Sequence, residues 1–173
     1  MVVGLDRLDK AVEMPPARRP VTIEIVEKES GKRVADRLHI HGEHGEYLPP
    51  GGHHRRVNPH WFEDNYGEFV NGLNQYSYVD GECVADLPVG TVFIEIRRGY
   101  EVQPLRQRFE VAPDTDHLIF QLERVLDWRA SGWVTADTHV HFLSPSTALL
   151  EGEAEGVDVD GIVATILRET ADG

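Results

Sequence analysis

The fold is decided by residues 79–101, VDGECVADLPVGTVFIEIRRGYE, in which two alternating runs flank a Pro/Gly turn. Successive side chains of a β-strand point to opposite faces, so alternating apolar and polar residues indicate a strand with one buried face. ECVADL and TVFIEIRR both alternate in this way, and Pro88-Val89-Gly90 leaves no room for a helix between them. The stretch therefore predicts two strands joined as a hairpin.

Similar short runs lie on both sides of this stretch. VTIEIVE alternates Val21, Ile23 and Ile25 against polar residues, and RLHIHG places Leu38 and Ile40 opposite two histidines. The other strand candidates are QYSYVD, YEVQPL, QRFEV and HLIFQLER. Many short strands separated by turn signals predict a mainly β fold, an antiparallel β-sandwich similar to transthyretin or the carboxypeptidase regulatory domain.

A long segment, residues 42–72, interrupts this rhythm and is predicted to be a loop packed over the sandwich. It contains Pro49-Pro50-Gly51-Gly52 and a weak candidate binding cluster, His53, His54, His60 and Trp61. A second His-x-His pair, His39 and His41, precedes the loop. With His44 these histidines could form a metal or anion site. Because they show no regular ligand spacing, we interpret them instead as a His-rich loop and sheet face. The nearby aromatic residues could form a sugar-binding platform, but we interpret them as anchors for the loop. They are Trp61, Phe62, Tyr66, Tyr76 and Tyr78.

Composition limits the possible partners and the cellular compartment. The 173-residue chain carries a formal charge of −13, so its surface repels phosphate backbones and we expect no nucleic-acid partner. Its one cysteine, Cys83, has no disulfide partner within the chain and is predicted to be a buried small apolar residue. Residues 1–20 form a predicted leader without a signal-peptide core, and no apolar run is long enough to cross a membrane. We expect a cytoplasmic protein with no membrane partner.

The pattern changes after Arg124, and residues 132–145, GWVTADTHVHFLSP, contain a candidate metal site. WVTADTHVHF is predicted to be a buried strand, on which Asp137, His139 and His141 would share one face. Two imidazoles aimed alike can bind one divalent ion at about 2.1 Å, with Asp137 as a ligand or as a partner that orients one. The alternative is a solvated strand face.

A helix and another strand are predicted to follow this strand. SPSTALLEGEAEG has Ser144 to cap a helix, Pro145 for its first turn and Gly156 to end it. VDVDGIVAT then indicates a strand, so that the segment forms one βαβ unit. Glu151 and Glu155 lie one helical turn apart, and we interpret them as a solvated helix face rather than a catalytic carboxylate pair.

The stretch GWVTADTHVHFLSPSTALLEGEAEGVDV resembles the start of the PHP-type metal-dependent hydrolase domain, in particular the CehA/McbA-like metallohydrolases. The matching residues are Gly132-Trp133, Asp137, His139, His141 and Glu155-Gly156. HGEHGEYLPPGGHH, VNPHWFEDNYGEF and LPVGTVFIEIRRGYE also resemble the sandwich that precedes this domain. The resemblance implies that residues 21–126 form an accessory β-sandwich and that residues 127–173 form a truncated opening of a β/α barrel.

In a complete relative, the resemblance implies a divalent ion, zinc, manganese or iron, that activates water against a small-molecule ester, amide, carbamate or phosphoester. His139 and His141 would be metal ligands, and Asp137 would orient or assist them. The further ligands of that family come from later strands, so we expect this chain to bind metal weakly and to hydrolyse little by itself. The alternative is a noncatalytic β-sandwich that binds a partner. In either case exposed strand edges favour self-association.

Overall fold

The computed structural model describes residues 17–51, 68–71, 74–140 and 145–162. Of residues 68–71, 74, 139–140, 145–146 and 159–162 it describes the backbone alone. The described chain is mainly β, as the alternating runs predicted. Its strands are β1 (Arg18–Glu27), β2 (Asp36–Gly42), β3 (Pro50–Gly51), β4 (Glu68–Asn71), β5 (Asn74–Val79), β6 (Glu82–Pro88), β7 (Gly90–Arg97), β8 (Leu105–Val111), β9 (His117–Leu122), β10 (Ala136–Val140) and β11 (Val159–Ile162), with one helix, α1 (Pro145–Ala154), and a 3₁₀ turn at Arg129–Ser131.

The first nine strands form two sheets. One has four strands in the order β3-β6-β1-β9, and the other has five in the order β4-β5-β2-β7-β8. All described pairs in these sheets are antiparallel except β1 with β9, which run parallel. The strands thus differ in one pairing from the purely antiparallel arrangement that the sequence predicted.

The larger of two hydrophobic clusters among the described residues contains side chains from both sheets. In β1 the predicted inward residues Val21, Ile23 and Ile25 are fully buried, and so are Leu38 and Ile40 of β2. The same cluster includes Cys83, Ala85 and Leu87 of β6, Val92, Ile94 and Ile96 of β7, and Phe120 and Leu122 of β9. Period-two alternation therefore identified the buried face of these strands correctly, including the burial of Cys83.

The hairpin prediction for residues 79–101 was wrong, although both of its strands exist. β6 pairs with β1 and β3, whereas β7 pairs with β2 and β8, so the chain passes from one sheet to the other at Val89. Only Val89 separates the two strands, whereas a tight hairpin has a loop of two residues. Pro88 also has no N–H to donate to a hairpin hydrogen bond. Gly90, at φ 127°, adopts the backbone that this crossing requires.

Two further expectations about strands and loops differ from the structure. YEVQPL is not a strand: β8 begins only at Leu105, and the preceding residues form a turn after Gly99, whose φ is 50°. Residues 42–72, predicted as a loop, include the strands β3 and β4, which extend the two sheets. β3 is only two residues long, too short to show a period in the sequence.

The last three elements follow one another as strand, helix and strand. β10 pairs with β11 in parallel, and α1 lies between them in the chain. α1 ends at Ala154, and Gly156, the residue predicted to end it, follows with a φ of 71°. The Val157 amide donates to the Gly152 carbonyl (2.8 Å) and the Gly156 amide donates to the Glu153 carbonyl (3.1 Å), which is the Schellman arrangement.

The prediction that residues 133–142 form a buried strand was wrong for the part that the structure describes. Trp133 is 71% exposed and Val134 is 68% exposed, and the residues from Ala136 to Thr138 are exposed as well. The reason is that β10 has one strand partner, β11, among the described residues. Apolar composition alone does not bury a strand that has few neighbours.

α1 packs against the outer face of the five-stranded sheet. Ala35, Tyr78, Leu150 and Ala154 form a second hydrophobic cluster, with Tyr76 packed against it. Tyr78 thus belongs to the cluster that includes the helix, and Tyr76 packs against that cluster. That the two tyrosines also anchor the loop stays a prediction. The Gly99 amide donates to the Ala154 carbonyl (3.1 Å), so the helix is also bonded to the turn after β7. No helix in the described ranges is long and apolar enough to cross a membrane.

Candidate functional site

β10 carries the backbone of two of the three predicted site residues. Asp137 and His139 lie within the strand, and the Asp137 side chain is exposed. His141 lies outside the described residues, and of His139 the structure describes the backbone alone. That these side chains share one face stays a prediction.

The pairing of β10 with β11 is irregular at the predicted site. Ala136 pairs with Val159 and Asp137 with Asp160, but the next pair joins Val140 to Ile162. Asp137 and Val140 are three residues apart in β10, whereas their partners are two residues apart in β11. β10 therefore contains one extra residue between Asp137 and Val140. Such β-bulges change the direction of neighbouring side chains and are common next to active sites.

A hydrogen-bonded clamp aligns the starts of the two parallel strands. The Thr135 amide donates to the Asp158 carboxylate (2.9 Å), and the Asp158 amide donates to the Thr135 carbonyl (3.0 Å). The Thr135 hydroxyl also donates to the Gly156 carbonyl (2.6 Å). The amide of Thr135, aided by the Arg129 guanidinium, lowers the pKa of the Asp158 carboxyl against the opposing effect of burial. The charged form of Asp158 thus holds β10 beside β11.

Glu101 connects the sheets to this strand–helix–strand segment. Its carboxylate accepts hydrogen bonds from the Trp128 amide (2.6 Å) and from the guanidinium groups of Arg124 and Arg129. Arg129 in turn pairs with Asp158. The connector between β9 and β10 is therefore fixed at both ends by charged hydrogen bonds, with the Glu101 side chain only 11% exposed at the centre.

The interpretation of Glu151 and Glu155 as a solvated helix face was wrong. The Tyr78 hydroxyl donates to the Glu155 carboxylate (2.9 Å), which also forms an ion pair with Arg37 (3.0 Å). Burial raises the pKa of Glu151 to about 7, and the nearby Glu155 carboxylate adds to the effect. The cause is that this side of α1 packs against the outer face of the sheet, where water is partly excluded.

Replacing Glu151 with Gln is expected to change how stability depends on pH. The folded-state pKa lies above the usual value of 4.5, so the stabilisation by this group is complete below about pH 4.5 and is lost as the pH rises through 7. The Glu151→Gln protein should therefore gain stability relative to the unchanged protein between pH 5 and 8, on the order of 1–2 kcal/mol. Urea unfolding at a series of pH values measures the difference.

Glu153→Gln is the matched control for this measurement. Glu153 is on the same helix, but its side chain is 62% exposed and lies 3.9 Å from Arg98. Its replacement should leave the pH profile nearly parallel to that of the unchanged protein. Equal profiles for the two variants would contradict the assigned burial of Glu151.

His39 and His41 line a cavity of about 390 Å³ on the outer face of the five-stranded sheet. Their ring centroids are 5.4 Å apart. Neighbouring strands complete the lining with Phe93 and Glu95 of β7 and Arg106 and Arg108 of β8. The structure thus brings together on one sheet face side chains that are far apart in the sequence.

The remaining predicted residues, His53, His54, His60 and Trp61, lie outside the described residues. Their role as a weak candidate binding cluster stays a prediction. In the part of the chain that the structure describes, no three or more His, Cys, Asp or Glu side chains are grouped so as to hold a metal ion. A metal centre at β10 therefore depends on residues such as His139 and His141, whose side chains are not described.

The sequence analysis missed the residues that position β10. Glu101, Arg129, Thr135 and Asp158 form the clamp and its link to the sheets. Each is a common polar residue, and nothing in the local sequence distinguishes it from a solvated side chain. The available signal was that Thr135 and Asp158 lie near the starts of the two predicted strands.

Comparisons with known proteins find no relative of this chain. No family model matches it, no curated protein matches it, and no solved structure matches it. The functional assignment therefore rests on the residues of the chain itself.

Proposed function

We propose that the chain is the N-terminal part of a metal-dependent hydrolase of the PHP type, similar to the CehA/McbA-like metallohydrolases. Residues 21–126 would form an accessory β-sandwich, and residues 127–173 the βαβ opening of a β/α barrel. The observation that carries the proposal is the parallel pairing of β10 with β11 across α1, with Asp137 and His139 on the first of these strands.

The strand direction supports a site at this position. Catalytic residues of β/α barrels lie at the carboxyl ends of the parallel strands, where side chains from several strands converge. His139 is the second-to-last residue of β10, and His141 is the first residue after the strand. In a barrel of this kind both would lie at the carboxyl end of the strand, where catalytic residues are found.

The exposure of β10 also supports additional strands beside it. Parallel sheets are normally covered on both faces, whereas Trp133 and Val134 at the entry to β10 are exposed. Further barrel strands and helices would cover these side chains. Among the described residues no further strand pairs with β10 or β11, which is also the basis for expecting self-association of this chain.

The donor set suits a divalent ion of the expected kind. His139 and His141 would hold the metal, with Asp137 as an added ligand or as a partner that orients one. Imidazole and carboxylate ligands are compatible with zinc, manganese and iron. When bound, such an ion lowers the pKa of a coordinated water and so supplies a nucleophile for hydrolysis. The substrate would be a small molecule with an ester, amide, carbamate or phosphoester bond.

Metal titration tests this proposal. Calorimetry with Zn²⁺ and Mn²⁺ should show a binding event in the unchanged chain that is lost when both His139 and His141 are replaced with Ala. His117→Ala is the control, because His117 lies at the start of β9 and its side chain is 44% exposed. That variant should bind as the unchanged chain does.

The opposite outcome would favour a different class of protein. If the double variant and the unchanged chain give identical isotherms, the chain is better described as a noncatalytic β-sandwich that binds a partner. Repeating both titrations in a His39→Ala/His41→Ala background removes any contribution from the cavity on the five-stranded sheet.

A further inference from the structure

We propose that His39 and His41 form a second site, separate from β10, that binds a divalent transition-metal cation through their two imidazole rings. The sequence alone favoured an ordinary sheet face, because the ligand spacing was incomplete. The contacts of the two rings in the structure support the metal site, and they do not depend on the proposed hydrolase function.

The first support is the regular strand that carries both residues. β2 pairs with β7 without a break from Arg37–Arg97 to Gly42–Val92, so positions two apart keep the same side. Leu38 and Ile40 are fully buried on the inner side. His39 and His41 therefore lie together on the outer side, with ring centroids 5.4 Å apart. This spacing suits two imidazoles that bind one ion at about 2.1 Å each.

The second support is the tautomer of each ring. Nδ1 of His39 bonds to the Gln75 carbonyl, and Nδ1 of His41 bonds to the Gly42 carbonyl (2.9 Å). A carbonyl oxygen only accepts, so in each ring Nδ1 must carry the proton. In the neutral ring Nε2 then has the lone pair. Metal-bound histidines are usually oriented by a hydrogen bond of this kind from the other ring nitrogen.

The third support is that both rings are held in place by aromatic neighbours. The His39 ring stacks on Tyr47, with centroids 5.7 Å apart and planes at 12°. The His41 ring stacks on Phe93, at 4.8 Å and 10°. Rings fixed before the metal arrives lose less conformational freedom on binding, which strengthens a site that has only two protein ligands.

The two arginines that line the cavity each have a carboxylate partner, so their charge does not exclude a cation as the ligand. Arg106 is paired with Glu95 (2.7 Å), and Arg108 with Glu110 (2.8 Å). Both guanidinium groups that could attract an anion thus already have a carboxylate partner. The two Nε2 lone pairs remain, and within the described part of the chain no residue bonds to them.

The donor type selects the metal class. Imidazole nitrogen suits Zn²⁺, Ni²⁺ and Cu²⁺, whereas Mg²⁺ and Ca²⁺ require oxygen ligands. The remaining coordination positions of the ion would face the cavity of about 390 Å³ and hold water.

Calorimetric titration with Ni²⁺ and Zn²⁺ tests the site, with Mg²⁺ as the hard-ion control. His39→Ala and His41→Ala should each weaken Ni²⁺ binding by at least about 10-fold, because each removes one of two ligands. His44→Ala, an exposed histidine just after β2, should bind Ni²⁺ as the unchanged chain does. Replacing His139 and His141 with Ala should leave this event in place, which separates the site from the proposed hydrolase centre.

Two results would overturn the site. One is Ni²⁺ binding that is unaltered in both the His39 and the His41 variants, and the other is Ni²⁺ binding that disappears only when His139 and His141 are replaced. Nitrogen-15 NMR of histidine-labelled unchanged protein gives an independent measurement if a variant does not fold. Zn²⁺ should shift the Nε2 resonances of His39 and His41 and leave their Nδ1 protonated; unshifted Nε2 resonances would contradict the proposal.

Discussion

Replacing Glu101 with Gln is expected to lower the free energy of unfolding by about 2–4 kcal/mol, because it removes the charge of a largely buried carboxylate that accepts several hydrogen bonds. The carboxylate receives hydrogen bonds from Arg124, Arg129 and the Trp128 amide. A neutral amide would leave Glu27 as the carboxylate partner of Arg124 and Asp158 as that of Arg129. The loss should still exceed that of an ordinary surface ion pair.

The backbone of the same residue contributes to the connector but is not altered by the substitution. The Val125 and Leu126 amides both donate to the Glu101 carbonyl, at 2.8 and 3.1 Å. The Glu101→Gln protein should thus keep its sheets and lose mainly the attachment of the strand–helix–strand segment. Hydrogen exchange would show this as faster exchange in residues 127–162 than in β1 and β2.

Glu123→Gln is the matched control. Glu123 pairs with Lys28 at 2.7 Å, but its side chain is 59% exposed, so the substitution should cost no more than about 1 kcal/mol. Denaturant unfolding of the two variants measures both values. A Glu101→Gln protein no less stable than Glu123→Gln would contradict the described network.

Replacing Asp36 with Asn is expected to stabilise the protein by about 1–3 kcal/mol at pH 8, since a charged group at this position carries an uncompensated desolvation cost. Asp36 is the first residue of β2 and is fully buried in the structure. Among the described residues none bonds to either oxygen of its carboxyl group. Burial raises the pKa of Asp36 well above its usual value, against the opposing charge of Arg98 and with a further increase from Asp80.

The sign of the pH dependence follows from the raised pKa. The folded protein binds this proton more tightly than the unfolded chain, so stability is greatest below the unfolded pKa of about 4 and decreases as the pH rises. Asn has no proton to lose. The advantage of Asp36→Asn over the unchanged protein should therefore be large at pH 8 and small at pH 3.

Thermal unfolding across this pH range checks the expectation. Asp114→Asn serves as the control, because Asp114 is exposed in the turn before β9 and its replacement should have little effect at any pH. If Asp36→Asn is less stable than the unchanged protein at pH 8, the carboxyl must have a polar partner that the described contacts lack.

The local alternation of apolar and polar residues, with the helix signals, predicted most of the strands and the helix, but not which strands pair. Alternation located β1, β2 and β6 to within a few residues, and the helix signals Pro145 and Gly156 located α1. These features depend on neighbours in the sequence. The passage from one sheet to the other at Val89 depends instead on which strand pairs with β6. β6 pairs with β1, which is distant in the sequence, and not with its neighbour β7.

The same distinction applies to the candidate sites. Asp137, His139 and His141 were predicted as a metal site from their spacing in the sequence, because ligand spacing along one strand is a local signal. The cavity at His39 was not, since Phe93 and Arg106 reach it only through the register of three strands. The tautomers that favour metal binding there depend on carbonyl groups whose positions the sequence does not show.

Anomalous diffraction from crystals grown with Zn²⁺ would show whether β10 presents neighbouring imidazoles to one ion. We expect an anomalous peak about 2.1 Å from a ring nitrogen of both His139 and His141. Diverging rings with no peak between them, or zinc bound only at His39 and His41, would contradict the proposed metal site on β10.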